Sequence, residues 1–390
     1  MVAWPFIAYC AVFLALVCAH FVAAYQAWKV SREEVPSDID PNYVRMEDYF
    51  ARSFRVKVAE WLQLPVQSAL ADGTQLIQKG SEYIRVSAHS VEHEPQTQSD
   101  EIQVVKGSFV CAAGCVFHRE IYAYEDAFIG SGTRLQAIAA DGDLNIGFRS
   151  QVTRWADCAG EMEIGAEAIV RARATAGKII HLKMGACAGS VFASTVSTAF
   201  KGLENLSRVD EPAVPMFEIA GPGGQDIPAR RPENLGLDPK RLSPLGSDCL
   251  SYSGDLNPRV PFRLKTKLIV KGNCELPPGT VLEEDLKADG RIMVGELSIC
   301  KGNLIAGSDI WLGPSSRFQG VIHAGGMLGL SRGTCGGSEG QKVAAFAAEK
   351  LLVEEEVTVY GKLSSADRVE VVEDARPRYL WAKDLKRRMA

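Results

Sequence analysis

The hexapeptide GDLNIG, Gly142–Gly147, returns as GEMEIG at Gly160–Gly165, 18 residues later. Both copies have a glycine at each end and apolar residues at two alternating positions, which are Leu144, Ile146, Met162 and Ile164. Alternation of this kind predicts a short strand with one buried side. The repeat therefore predicts a structural unit of about 18 residues.

The same pattern continues on both sides of the pair. Five consecutive units start at steps of 17 or 18 residues, at Ser108, Glu125, Gly142, Gly160 and Gly177. An apolar residue followed by glycine recurs in them, at Ile129–Gly130, Ile146–Gly147 and Ile164–Gly165. Short strands with small residues at the corners predict an all-β fold, a β-solenoid whose coils stack and align equivalent positions into ladders.

A second series of units starts at Gly272, Gly290, Gly302 and Gly320, at steps of 18, 12 and 18 residues. Six apolar residues in it fall on a six-residue grid and are predicted to point inward, namely Leu286, Ile292, Leu304, Ile310, Ile322 and Leu328. Three short sides per coil explain this grid. The 12-residue step predicts a shortened coil or a local irregularity.

The two series are separated by Lys201–Pro261, which holds half of the 18 prolines and the motif GPGG. Proline cannot donate to a sheet ladder, so this segment is predicted to be an irregular insert. After the second series, QKVAAFAAEKLL at Gln341–Leu352 is typical of a short helix. Further strands and a basic tail, KDLKRR, are expected to follow it.

The N-terminal residues Val2–Trp28 contain no charged side chain. This uncharged run is long enough for a helix that crosses a bilayer. Phe13 and Leu16 lie in the middle of this run, while Trp4, Tyr25 and Trp28 suit the two interfaces. A cleaved signal peptide is disfavoured because a basic leading region is missing and the run is long. Basic residues follow the span and none precedes it, so the bulk of the chain is predicted to be cytoplasmic, at the inner membrane.

Beyond this span, Met46, Phe50, Phe54, Val58 and Trp61 have helical spacing and basic neighbours. Such a helix can lie on anionic headgroups or pack on the downstream domain, and the sequence leaves both open. VEHEPQTQSD, residues 91–100, is typical of a linker.

The predicted organisation is therefore a transmembrane anchor (1–28), a juxtamembrane helix and linker (29–100) and a first solenoid block (101–200). A Pro-rich insert (201–261), a second solenoid block (262–340) and a C-terminal helix, strands and tail (341–390) complete it.

Composition gives little support for catalysis or ligand binding. A net charge of −5 provides no basic excess for nucleic acid, and ten irregularly spaced cysteines indicate reduced, mostly buried thiols. Cys111 and Cys115 lack a second pair at metal-ligand spacing, and the GPGG motif lacks the lysine of a phosphate loop. We therefore predict no cofactor, no metal and no catalytic residue.

Repeated units such as GDLNIG, GEMEIG, GRIMVG, GNLIAG and GVIHAG, behind a membrane-associating N-terminus, resemble the bactofilins. The resemblance covers residues 108–194 and 267–337. It implies a right-handed β-helix and a bacterial cytoskeletal protein that polymerises end to end without nucleotide. The implied partners are further copies of the chain, membrane lipid, and the cell-shape, envelope or cell-wall enzymes that such a scaffold organises.

Open strand edges at the ends of a solenoid also favour end-to-end assembly on physical grounds. A C-terminal helix over the last coil would block growth from that end. The alternative function is a left-handed β-helix acyltransferase, because IGSGTR, IGFRSQ, IGAEAI and LGPSSR each resemble one hexad of those enzymes. His118, His181 and His323 would then be candidates for its general base, but no acidic residue recurs beside them at fixed spacing. A periplasmic solenoid is the third possibility, if the N-terminus is cleaved or inverted.

Overall fold

The computed structural model describes residues 46–70, 73–199, 217–219 and 237–376. The chain divides into two units, 1–49 and 50–390; residues 46–49 of the first are described, and the second contains the solenoid. The predicted span 1–28, with Trp4, Phe13, Leu16, Tyr25 and Trp28, lies outside the described residues. Within those that are described, no helix combines the length and apolar character needed to cross a bilayer.

Among the described residues, one α-helix, α1 (Tyr49–Trp61), precedes the strands that lead into and form the first block. These strands are β1 (Ser68–Ala69), β2 (Gln75–Lys79), β3 (Glu82–Ser87), β4 (Val91–His93), β5 (Gln98–Ser99), β6 (Ile102–Val105), β7 (Phe109–Cys111), β8 (Val116–Phe117), β9 (Ile121–Ala123), β10 (Ala127–Ile129), β11 (Arg134–Leu135), β12 (Ile138–Ala140), β13 (Leu144–Ile146), β14 (Gln151–Val152), β15 (Trp155–Cys158), β16 (Met162–Ile164), β17 (Ile169–Ala176), β18 (Ile179–Leu182) and β19 (Cys187–Ser197).

The second block contains a short 3₁₀ helix, Pro239–Arg241, near its start. Its strands are β20 (Phe217–Ile219), β21 (Leu242–Pro244), β22 (Cys249–Tyr252), β23 (Phe262–Leu264), β24 (Lys267–Val270), β25 (Cys274–Leu276), β26 (Val281–Leu282), β27 (Leu286–Ala288), β28 (Ile292–Val294), β29 (Ile299–Cys300), β30 (Leu304–Ala306), β31 (Ile310–Leu312), β32 (Arg317–Phe318), β33 (Ile322–Ala324), β34 (Leu328–Leu330), β35 (Cys335–Gly336), β36 (Val343–Ala347), β37 (Lys350–Val353) and β38 (Thr358–Val371).

In the first block, each strand pairs in parallel with the strand one coil further along the chain. Ala127 in β10 aligns with Leu144 in β13, which aligns with Met162 in β16 and then with Ile180 in β18. Three such ladders form three faces: face A (β3, β6, β9, β12, β15), face B (β4, β7, β10, β13, β16, β18) and face C (β5, β8, β11, β14). The predicted β-solenoid is confirmed, with the predicted steps of 17 or 18 residues.

The apolar residues that the repeat singled out lie in the interior of the coils. None is more than 3% exposed: Ile129, Leu144, Ile146, Met162, Ile164, Ile292, Leu304, Ile310, Ile322 and Leu328. Gly130, Gly147 and Gly165 follow one another at the corner after face B, and a Cβ at Gly147 would lie 2.6 Å from the carbonyl oxygen of Ile129. A side chain does not fit at this corner because adjacent coils approach so closely.

The second block also has coils of 18 residues, and the expected shortened coil is wrong. Leu286 aligns with Leu304 and Ile322 on one face, while Ile292 aligns with Ile310 and Leu328 on the next. Gly290 and Gly302 precede strands on different faces, which is why they are only 12 residues apart. One coil is longer, since Ile322 aligns with Ala345 in β36.

Two segments outside the predicted blocks are also strands. The predicted linker 91–100 contains β4 and β5 of the first coil. The helix predicted at Gln341–Leu352 is instead β36 and β37, which pair with β33 and β34. Alanine-rich sequence favours a helix locally, but the open edge of the preceding coil decides the outcome.

The predicted insert 201–261 is partly built into the second block. β22 pairs in parallel with β24, and Leu256 bridges to Cys274, so the first complete coil starts before Pro261. β20 pairs with β23, and β21 pairs antiparallel with β22. The second block therefore begins well before residue 262.

Candidate functional site: the ends of the two blocks

The two blocks meet at their C-terminal coils and form one continuous stack. In the described ranges, β19 is the last strand of the first block and β38 the last of the second, and they pair antiparallel. Ala188 aligns with Val369, Val191 with Leu363, and Val196 with Val359, so the pairing continues around all three faces. We call this contact the coil junction.

The interior of the coil junction is as apolar as the rest of the solenoid. One cluster of buried side chains extends from Val105 to Val371 and includes both sides of the junction. Val191 and Val359 are fully buried, and Leu363 is 1% exposed. Burial of apolar surface contributes a favourable free energy of about 25 cal/mol per Å². It stabilises this junction in the same way as any other coil-to-coil contact.

Polar contacts also cross the junction. Lys342 Nζ donates to the carbonyl oxygen of Ser194 at 2.6 Å. The hydroxyl of Thr198 donates to the carbonyl oxygen of Glu354 at 2.7 Å and accepts from the backbone N–H of Val357 at 2.9 Å. The last coil of the second block is therefore covered by the first block, and not by the C-terminal helix that was considered as an alternative.

The N-terminal coil of the first block has a polar side chain at an inward position of each face, while Val91 on face B is apolar and packs against the core. Arg85 aligns with Gln103 on face A, His93 with Cys111 on face B, and Ser99 with Phe117 on face C. Equivalent residues of later coils, such as Ile121 and Ile138, belong to the apolar core. The interior thus changes from apolar to polar at this end.

These polar side chains contact one another and the first aromatic layer. Arg85 Nε donates to Glu101 Oε2 at 2.5 Å, and Gln103 Nε2 donates to Ser99 Oγ at 2.9 Å. The His93 ring lies 5.3 Å from the Phe109 ring and 5.2 Å from the Phe117 ring, between centroids. Burial, together with the Arg85 charge, lowers the pKa of His93, which favours its neutral form.

The N-terminal coil of the second block is apolar at the corresponding positions. Its inward side chains are all buried members of the core: Leu250, Tyr252, Leu256, Phe262 and Leu264. Beyond this coil, half-buried Ile219 in β20 aligns with Leu264, and half-buried Leu242 in β21 aligns with Tyr252. Both pack against the core, so this end presents apolar surface.

Helix α1 packs on the outer side of face A. Phe54, Val58 and Trp61 form a cluster with Tyr122 and Trp155. Of the two alternatives for this helix, packing on the downstream domain is the one observed for its residues from Phe50 onward. Its basic side chains Arg52 and Lys57 are exposed.

Arg55 ties α1 to this face. Its guanidinium donates to Asp157 Oδ1 at 2.6 Å, to Asp141 Oδ1 at 2.9 Å and to the carbonyl oxygen of Ala140 at 3.1 Å. The Asp157 side chain is only 7% exposed and also accepts from the Thr175 hydroxyl. These two carboxylates raise the pKa of Arg55 against the opposing effect of burial.

The three histidines considered for catalysis lie on separate parts of the solenoid. His118 is exposed after β8, His181 is buried in β18, and His323 is exposed in β33. His323 stacks on Phe346 with 5.0 Å between ring centroids. The register neighbours of His181 are Glu163 and Ser197. The structure does not gather the three into one site.

The thiols do not form a metal site among the residues described. No group of three or more histidine, cysteine or acidic residues in these ranges could hold a metal ion. Cys111 and Cys115 are buried, and Cys115 Sγ lies 3.3 Å from the carbonyl oxygens of both Glu94 and Ala112. Burial raises the pKa of Cys111 to about 11, which keeps this thiol protonated at neutral pH.

Searches against models of known families, curated proteins and solved structures yielded no match. Sequence analysis missed both the coil junction and the polar first coil. A signal for the latter was present, because Val91–His93 lies 18 residues before Phe109–Cys111.

Proposed function

We propose that this protein is a membrane-anchored, self-assembling scaffold of the cytoskeletal kind to which bactofilins belong. In this proposal, coil ends of separate chains stack without nucleotide. The assembly then organises cell-shape or envelope machinery at the inner membrane, with the solenoid in the cytoplasm.

The observation that carries the proposal is the coil junction. Coils more than 150 residues apart in the sequence, those of β19 and β38, stack there with backbone pairing on all three faces and a shared apolar core. A contact of this kind needs no nucleotide, metal or loop insertion, only matched coil cross-sections. The same chemistry is open to two different chains.

Two further features support a structural role. The repeated units that resemble bactofilins form the coils themselves, and their glycines occupy the corners where coils approach closely. Helix α1 is held on face A by Arg55 and an aromatic cluster, so the segment from Phe50 onward is part of the solenoid's packed surface.

Self-assembly is tested on the full chain, purified in detergent and reconstituted in nanodiscs, without nucleotide. We expect sedimentation velocity to give particles larger than one chain, and negative-stain microscopy to show rods longer than a single solenoid. Single chains at all concentrations would refute self-assembly. Compact trimers would favour the acyltransferase-like alternative.

Membrane orientation is tested with two fusions at the C-terminus, one to alkaline phosphatase and one to a fluorescent protein. We expect fluorescence and no phosphatase activity, because basic residues follow the predicted span. Active phosphatase would overturn the cytoplasmic location, and a soluble chain after cell lysis would overturn the anchor.

A further inference from the structure

We propose that end-to-end association occurs only at the N-terminal coil of the second block, with a second copy of the chain as the partner. The first-block end acts as a cap in this proposal. The inference rests on the proposed self-assembly and narrows it, since a chain with one open end forms pairs of chains in place of long filaments.

The cap is visible in the inward positions of successive coils. On each face the first coil places a polar residue in an inward ladder, namely Arg85, His93 and Ser99. Face B also has one apolar inward residue in this coil, half-buried Val91, which packs against the core. Gln103, 1% exposed, places a second polar layer on face A below Arg85. Apolar residues fill these ladders from the third coil onward, as at Ile121, Ile129 and Leu135.

Another coil stacked on this end would have to bury these groups. The Arg85 side chain is 34% exposed and the Glu101 side chain 25% exposed, so their ion pair would lose its remaining water. Inward-pointing charge on edge strands is a known way in which proteins prevent unwanted pairing. Antiparallel β2 occupies the edge of β3 on face A, as antiparallel β21 occupies the edge of β22 at the other end, so this covering is common to both ends and the charged side chains are what distinguish them.

The other end has the opposite character. The inward positions of the first coil of the second block are apolar, and Ile219 and Leu242 extend that surface outward. Among the described strands, β20 pairs on one edge only, with β23. The same holds for β4 and β5 at the first-block end, so within the described residues the two ends differ in the polarity of their inward side chains and not in their strand edges.

A second copy fits this end because the chain already contains a contact of that geometry. At the coil junction, two coils that run in opposite directions face each other and pair antiparallel. A two-fold axis through the second-block end would place β20 antiparallel to its own copy in the same manner. The resulting interface is self-complementary and closes after two chains.

The test uses sedimentation velocity of the full chain in detergent, with circular dichroism melting as a check of folding. We expect wild type to form two-chain particles. Leu242→Lys and Ile219→Lys should each halve the particle mass, because they place a charge in the apolar end. Leu242→Ser, a milder change, should raise the dissociation constant at least tenfold. Leu297→Lys, at an apolar side chain 44% exposed on the outside of the third coil of the second block, is the matched control and should keep the wild-type mass.

A second variant set examines the cap directly. Replacing Arg85 and His93 by Val and Gln103 by Leu should convert pairs into longer rods, because the inward polar residues of faces A and B are then replaced by apolar ones and Ser99 is the only one of the named polar residues that is left. Gln98→Asn, at an exposed position of β5, is its control and should leave pairs unchanged.

Each outcome decides between the two proposals. A monomeric wild type would refute self-assembly and this inference together. Filaments of wild type, or pairs that survive folded Leu242→Lys and Ile219→Lys, would refute the inference and leave self-assembly intact. A folded triple variant that stays in pairs would refute the cap.

Discussion

At the residue scale, the fold depends on apolar side chains in a narrow interior with no room for water. Ile164 and Leu304 are at most 1% exposed, while the adjacent Ile305 points outward and is 39% exposed. A carboxylate at an inward position would be buried without a partner, because its strand neighbours on both sides are apolar.

Ile164→Asp or Leu304→Asp should therefore destabilise the solenoid by more than about 4 kcal/mol, enough to unfold it under native conditions. Ile305→Asp is the matched control, since it introduces the same group one residue away on the outer side. Chemical denaturation followed by circular dichroism measures the difference. If Leu304→Asp melted like Ile305→Asp, the inward register would be wrong.

Buried thiols give the solenoid a specific pH dependence. Burial raises the pKa of Cys158 to about 12, with a smaller effect of Asp157, whereas an unfolded thiol ionises near pH 8.5. Above that pH the unfolded chain holds fewer protons than the folded chain, so stability falls as pH rises towards the folded pKa.

Cys158→Ala should remove the contribution of this one thiol to the pH dependence of the free energy of unfolding. Between pH 9 and 11, the free energy of unfolding of wild type should fall more steeply than that of the variant, by about 1.4 kcal/mol per pH unit. Between pH 6 and 7 the two should have equal slopes. Urea denaturation at each pH measures this, and equal slopes at high pH would show that the Cys158 thiol ionises in the folded state.

At the scale of elements, α1 is bound to face A both by apolar packing and by ion pairs. Arg55 reaches Asp157 and Asp141, and the hydroxyl of Tyr122 donates to Asp141 Oδ2 at 2.6 Å. Removal of Arg55 leaves Asp157 buried without its counter-ion, which costs more than the loss of a surface ion pair.

Arg55→Ala should weaken the docking of α1 by on the order of 3 kcal/mol. Hydrogen exchange of the amides in α1 should then become roughly a hundredfold faster, while exchange in the second block stays unchanged. Lys57→Ala is the control, because Lys57 is exposed on the same helix and should leave exchange as in wild type. Unchanged protection in Arg55→Ala would show that the aromatic cluster alone fixes the helix.

At the scale of the whole molecule, the coil junction makes two blocks into one core. The buried cluster is continuous through Val191, Val196, Val359 and Leu363. Cooperative unfolding is expected where such a core links all parts of a repeat protein, since nearest-neighbour contacts couple the coils.

Val191→Asp should uncouple the blocks, because it places a charge opposite Leu363. Calorimetry of wild type should show one transition and that of the variant two, the first at lower temperature. Ser194→Asp, at an exposed position of the same strand, should retain the single transition. One transition in Val191→Asp would mean that the junction core contributes little to coupling.

The sequence by itself determined the coil. The pleat of a strand explains its inward residues, such as Leu144 and Leu304, and the contact between neighbouring coils explains its period and its corner glycines. Both interactions join residues that are adjacent in sequence or one repeat apart. The antiparallel junction of β19 with β38, the strand state of Val343–Ala347 and the docking of α1 were decided only by the tertiary structure. Each of these three features depends on which distant strand edge or surface is available for pairing. The periodicity of one segment does not specify that distant partner.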